Sequence, residues 1–214
     1  ISEKFKHDHI DQLVQLTQAQ GERGIRCQLL KADCHKAYRM LPILPEHHKY
    51  ADILAYDTDH NMWVSTTQYA MPFGAVAAVY AWERMGALLT AILRQLIGIP
   101  ILRYVDDVFT ALPQALCKQA RTSIEQLLEA LGAALSPGKT EGPAPDMTVL
   151  GIDASITQSH ITLRPEPQKA AVWKKEINDI LRKDTITTAE ASKLAGKLNF
   201  ATSATFGKVG KAHN

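Results

Sequence analysis

Residues Ile99–Leu112 read I-P-I-L-R-Y-V-D-D-V-F-T-A-L, and the rest of the chain is understood from them. Two short apolar runs flank Tyr104-Val105-Asp106-Asp107, the pattern of a hairpin closed by a tight acidic turn. Adjacent carboxylates wedged between buried strands repel each other and resist losing water. A divalent cation removes that difficulty, whereas an acidic turn on the surface needs none. Which of the two applies depends on the residues that stand elsewhere.

Upstream of this stretch, residues 75–97 form a long apolar segment that stops at Gly98 before Pro100, the expected end of a helix. Val76, Val79, Tyr80, Met85, Leu89, Ile92 and Leu96 fall near one face and are the expected buried stripe. Glu83, Arg84 and Arg94 interrupt the segment, which therefore reads as a buried helix and not a membrane span. Downstream, Pro113 is expected to open a second helix reaching Leu131, with Leu116, Ala120, Ile124, Leu127, Leu128 and Leu131 inside and Gly132 closing it. Earlier, Ile10, Leu13, Val14 and Thr17 give a helix ended by Gly21, and residues 26–33 give a strand running into Asp33. Residues 40–69 read as a connector and an antiparallel pair turning near 57–61, with Ile53, Ala55, Met62 and Val64 in its alternating pattern. Near the end, residues 167–183 are an amphipathic helix carrying Ala171, Trp173, Ile177, Ile180 and Leu181. Thr187 and Glu190 form a capping box for a last helix with Ala191, Leu194, Ala195 and Leu198, and Gly196, Gly207 and Gly210 loosen the pattern after it. No internal repeat or low-complexity linker interrupts this order.

The 214 residues allow one large domain, or one with a small appendage, and an apolar share of 46% is that of a globular chain. Cys27, Cys34 and Cys117 are too few and too dispersed for a disulfide framework or a zinc site. His47-His48 is a poor chelate, because neighbours in extended chain point to opposite faces. Net charge is +2, but residues 164–214 hold ten Lys/Arg against five Asp/Glu while the preceding residues hold fourteen against seventeen. A basic tail after an acidic body suits a segment that holds a phosphate backbone, and equally a solvated helical face. No secretory signal is visible, so an intracellular protein is expected; Ile1 in place of a methionine suggests a piece of something longer.

Y-V-D-D between apolar strands resembles the catalytic hairpin of reverse transcriptases, and four other segments resemble that family's motifs in the family's order. Leu30-Lys31-Ala32-Asp33-Cys34-His35-Lys36-Ala37-Tyr38-Arg39 is similar to the first motif, a strand-end Asp followed five residues later by an aromatic. Gln68-Tyr69-Ala70-Met71-Pro72-Phe73-Gly74 resembles the second, although Ala75-Val76-Ala77-Ala78-Val79 replaces the small residue and proline that many relatives carry next. The stretch from Leu131 to Glu141, with Lys139 before Thr140-Glu141, resembles the fourth. Val149-Leu150-Gly151-Ile152 followed by Ile161-Thr162-Leu163 resembles the fifth, a hairpin that grips the primer end. The resemblance runs from about residue 9 to about residue 205, and the shared order is more specific than any single motif.

The resemblance implies an α+β fold: a polymerase palm, an antiparallel sheet backed by helices, followed by a small helical thumb segment. Residues 1–25 would be the end of the fingers or an entry helix, 26–163 the palm with its primer-grip hairpin, and 164–214 a partial helical thumb, most of the fingers preceding the chain. It implies an RNA-directed DNA polymerase, closest in feel to retrotransposon enzymes, acting on an RNA template, a DNA primer and deoxynucleoside triphosphates, with no membrane and with no protein partner indicated. Asp33 and Asp106 would bind two Mg²⁺ ions, Mn²⁺ being a possible substitute, with Asp107 as a supporting ligand. One ion would lower the pKa of the primer hydroxyl and the other would neutralise charge on the leaving phosphates. Lys139 would protonate the pyrophosphate. Tyr38 would lie under the sugar and select deoxyribonucleotides, or serve palm packing. Phe73 and Gly74 would sit under template and nucleotide, Tyr104 and Val105 beside the substrate, and Leu150 and Gly151 at the primer. The alternative is an inactive or domesticated palm that binds nucleic acid or protein without polymerising. Ile152-Asp153-Ala154-Ser155 also matches the way ribonuclease H domains often begin, but no suitably spaced Glu and Asp follow, so Asp153 reads as a hairpin residue.

Overall fold

Ile10, Leu13 and Thr17 recur at helical spacing, and they are the buried face of the first helix, α1 (Ile10–Gly21). The computed structural model describes residues 5–157 and 160–206; Gly207, Gly210 and the basic Lys208 and Lys211 lie outside them. After α1 comes β1 (Cys27–Asp33), in which only Gln28 and Lys31 are partly exposed. Short 3₁₀ turns at Ala37–Met40 and Pro45–Tyr50 lead to β2 (Asp52–Asp57) and β3 (Met62–Thr67), the antiparallel pair that the alternating apolar residues anticipate. The Asp57 carboxylate accepts the Asp59 and His60 backbone N–H groups and closes the turn between them. Then follow α2 (Val76–Gln95), β4 (Leu102–Tyr104), β5 (Asp107–Pro113) and α3 (Cys117–Ala130). After a 3₁₀ turn at Pro137–Lys139 come β6 (Glu141–Ala144), β7 (Asp146–Val149), β8 (Ile152–Thr157) and β9 (His160–Pro165), then α4 (Pro167–Lys183) and α5 (Thr188–Phe206).

The fold is α+β with antiparallel pairing. Strands order as β4–β5–β1–β6 in one sheet, β2–β3 in a second and β7–β8–β9 in a third. The chain divides into two units. One comprises residues 5–7, Ala32–Val108 and Thr122–Thr140; within it Cys34, Ala37 and Trp82 form a buried cluster packed by Tyr38, Met40, Leu41, Val105 and Leu135. The other comprises Asp8–Lys31, Phe109–Arg121 and the described part of 141–206; there α1 and α5 each pack on β9, above buried Val149, Ile152, Ala154 and Ile156.

Three expectations about faces and ends need correction. In α2 the buried residues are Ala78, Trp82, Glu83, Gly86, Leu89, Thr90 and Leu93, so of the expected stripe only Leu89 is inside. Val76, Val79, Met85 and Leu96 are exposed. The helix is apolar on two sides, and the side that packs on β4 and the Ala37–Met40 turn is the one where small Ala78 and Gly86 permit close approach. By length and hydropathy α2 could cross a membrane, and 39% of its most apolar window is buried within this fold. Second, Pro113 ends β5 instead of opening α3, which begins at Cys117; Leu116 and Leu131 are therefore exposed flanks, while Cys117, Ala120, Ile124 and Leu128 carry the buried stripe. A proline at a strand's last residue forfeits no ladder bond that the strand needs. Third, α4 has no buried residue, and Leu181 is exposed at its end. The capping box is as read: Thr187 N–H donates to Glu190 Oε2 at 2.9 Å, and Glu190 N–H donates to Thr187 Oγ1 at 3.2 Å.

Candidate active site

Asp33 is the last residue of β1, and the chain beyond it is zipped to the segment before Lys139. Cys34 bridges Leu135, His35 N–H donates to Ala134 O at 2.8 Å, and Ser136 N–H donates to Asp33 O at 2.8 Å. This pairing carries Ser136 Oγ and Lys139 Nζ to the Asp33 carboxylate, with Oδ2 at 2.7 and 3.1 Å respectively. Asp33 is buried, whereas the Lys139 side chain is mostly exposed.

The second carboxylate comes from the β4–β5 hairpin. Val105 and Asp106 are the central residues of its turn, and Val105 lies in the left-handed region at φ 55°. Two-residue hairpins favour that conformation because it matches strand twist. Asp106 O accepts the Cys34 N–H at 3.1 Å, which seats the turn beside the strand end bearing Asp33. Asp107 opens β5 and is half-buried.

Charge follows this geometry. Burial pushes the Asp106 carboxyl above the usual carboxylate range; its own backbone N–H pulls it back, Asp33 repels, and Lys139 attracts. The hydrogen bond to Asp33 raises Lys139 above its ordinary value, with added attraction from Asp33, Asp106 and Asp107. Its ammonium is thus a cation hydrogen-bonded to Asp33 and protonated at neutral pH. Burial first, then Asp106 and Asp33, push the Cys34 thiol up to about 12, which makes it inert packing. Burial, then Asp106 and Glu83, also raise the Tyr38 phenol.

No protein-family model and no curated protein matches the chain.

Of the residues expected in one site, Asp33 and Lys139 meet at 3.1 Å, and the Asp106 backbone is bonded to Cys34 next to Asp33, while Asp106 and Asp107 act on Lys139 by charge. Among the described residues, no group of three His, Cys, Asp or Glu side chains is disposed to hold a metal ion. In this arrangement Asp33 Oδ2 is satisfied by Ser136 and Lys139. Carboxylate oxygens are the donor type that hard divalent cations prefer, and here the Lys139 ammonium occupies Asp33 Oδ2. Tyr38, in the Ala37–Met40 turn, meets Phe73 edge-on with ring centroids 5.4 Å apart. Phe73 is 63% exposed, so the pair offers one aromatic ring to solvent. Gly74 is exposed with φ 86°, a conformation that suits glycine and keeps the chain open to close approach. Tyr104 lies at the end of β4 against His7, ring centroids 5.2 Å apart.

Leu150 and Gly151 belong to the other unit, where they form the β7–β8 turn with φ 49° and 75°. Asp153 lies in β8 and accepts the Thr148 hydroxyl at 2.6 Å, the hairpin position expected for it.

Sequence reasoning missed Ser136, Trp82, Glu83 and Arg103. Ser136 stands three residues before Lys139 within an already noted motif. Glu83 and Arg103 are a lone acid in an apolar helix and a lone base in an apolar strand, and that pairing of opposite exceptions was the available signal.

Proposed function

We propose that this chain is the catalytic palm, with the start of a thumb, of an RNA-directed DNA polymerase of retroelement type. The observation that carries the reading is the juxtaposition of a strand-end carboxylate, Asp33, with a hairpin-turn carboxylate, Asp106, through the 3.1 Å Cys34–Asp106 backbone bond, with Lys139 bound to the first and attracted by both. The five motifs in family order support it from the sequence side.

In this reading Asp33, Asp106 and the adjacent Asp107 would hold Mg²⁺, or Mn²⁺ in its place. The ions supply charge neutralisation at the attacking and leaving oxygens. Lys139, held protonated beside Asp33, would present its ammonium to the leaving pyrophosphate. Tyr38, backed by Phe73, closes the space beneath the sugar at the 2′ position. Gly74 lets template and nucleotide approach the backbone. The Leu150–Gly151 turn is assigned to the primer end by resemblance alone, and the basic tail to the duplex backbone.

The test is Mg²⁺-dependent extension of a DNA primer on an RNA template. Extension that requires the metal and deoxynucleoside triphosphates supports the reading. Retention of the template–primer duplex without any extension, with Mg²⁺ or Mn²⁺, favours the non-polymerising alternative. Tyr38→Val is expected to relax discrimination against ribonucleotides, because the ring that would block a 2′-hydroxyl is gone. Competition between deoxy- and ribonucleoside triphosphates measures it, and an unchanged ratio would return Tyr38 to its packing against Phe73.

A further inference from the structure

We propose that Glu83 and Arg103 are positioning residues: a buried ion pair that clamps the Val105 carbonyl and thereby holds the turn carrying Asp106. The proposal rests on the reading of Asp106 as an active-site carboxylate. It starts from a conformational cost. Val105 is β-branched and sits at φ 55°, where such residues are genuine outliers. A conformation of that kind persists only where the surroundings over-determine it.

The surroundings are specific. Val105 O accepts two N–H groups, Trp82 Nε1 at 3.0 Å and Arg103 Nη1 at 2.7 Å. The guanidinium is fixed in turn by Glu83 Oε2 at 2.7 Å, and both side chains are nearly sealed from water, 8% and 2% exposed. Room for the guanidinium is made on α2 by Gly86: a Cβ there would stand 2.7 Å from Nη1 and 2.8 Å from Cζ of Arg103. Yet this pair is an inefficient stabiliser. Removing two charges from water offsets much of their attraction, and among the described residues Glu83 Oε1 has no hydrogen-bond partner, with His7 Nδ1 at 3.7 Å. What the pair supplies is a fixed location. The residue after Val105 is Asp106, whose carbonyl in turn receives the Cys34 N–H beside Asp33. Glu83 therefore reaches the carboxylates through Arg103 and the Val105 carbonyl, without touching them.

The experiment compares the chain with two variants. Glu83→Leu/Arg103→Met removes the pair and keeps apolar bulk; Gly86→Ala keeps the pair but drives the guanidinium from its notch, while improving helix propensity. The readout that needs no activity is amide exchange of the Cys34 N–H, which is protected only while Asp106 O stays beside it. Exchange at Cys34 is expected to rise by about tenfold or more in both variants, amides of β8 remaining unchanged. In extension, kcat is expected to fall by about a hundredfold with KM for template–primer unaltered, the signature of a misplaced reacting group. Should the double variant fail to fold, Gly86→Ala and Glu83→Gln decide alone. Wild-type Cys34 exchange in folded variants overturns the clamp whether or not the chain polymerises. Raised exchange in a chain that never extends a primer leaves the clamp standing and removes the polymerase reading instead.

Discussion

Asp106→Asn is expected to lower metal-dependent primer extension by about three orders of magnitude, roughly 4 kcal/mol of barrier, without loss of fold. The activity side follows from the chemistry proposed for the site: an amide is nearly isosteric with the carboxylate but brings no charge to a divalent cation. The stability side follows from the surroundings. Burial and the repulsion of Asp33 hold the Asp106 carboxyl above its ordinary range, against the pull of its own backbone N–H and Lys139. A folded-state pKa raised above the unfolded value means that the contribution is fully present below the unfolded pKa and is lost as pH rises through the folded one. At neutral pH the ionised side chain therefore disfavours the fold, and asparagine relieves it. The variant is expected to melt no lower than wild type at pH 7, with that advantage shrinking as pH falls toward the ordinary carboxylate pKa of about 4. On the proposed reading, added Mg²⁺ should raise the melting temperature of the wild type more than that of the variant, which would lack one of the carboxylates that would hold the ion. Thermal melts with and without Mg²⁺, beside extension rates, check all of this. A variant that extends primers at the wild-type rate would remove Asp106 from the chemistry.

What the sequence disclosed of this arrangement depended on how local the cause was. The acidic turn between β4 and β5, the strand into Asp33 and the Thr187–Glu190 box are set by residues within a few positions of each other, and each stands where local reasoning put it. The buried face of α2 is not set locally. Bulky residues lie on both sides of that helix, and the side taken inward contains Ala78, Gly86 and a charged Glu83, all of which a hydrophobic count discards. Their value appears only once Arg103 arrives from β4 to occupy the space over Gly86. The same holds for the start of α3, because β5, inside on both faces over Val108–Leu112, runs on to Pro113. The Asp33 partners show an intermediate case. Lys139 was legible from its motif, whereas Ser136 became a ligand of Asp33 only through the pairing of residues 134–136 with the strand end.

Trp82→Ala is expected to be the most destabilising single truncation in the unit that holds the carboxylates. Trp82 is 1% exposed and centres the cluster of Cys34, Ala37, Tyr38, Met40, Leu41, Val105 and Leu135. Truncating a buried aromatic to alanine costs about 3–5 kcal/mol, the lost transfer energy plus the cavity left behind. Against a typical folding stability of about 5–15 kcal/mol, that leaves a marginal protein or an unfolded one. A second loss falls on the turn, because the indole Nε1–H is one of two donors to Val105 O. Trp82→Phe separates the two effects. It keeps most of the ring within the cluster and removes only the donor, while Arg103 continues to hold the carbonyl. Its expected cost, beyond the smaller ring volume, is about 1 kcal/mol, the usual net worth of a hydrogen bond whose acceptor keeps another partner. Urea unfolding followed by circular dichroism measures both variants, and an unchanged m-value makes the midpoints comparable. The decisive comparison is the gap between them. If alanine and phenylalanine cost the same, the indole matters to this unit through its hydrogen bond to Val105 and not through the space it fills around Cys34 and Ala37.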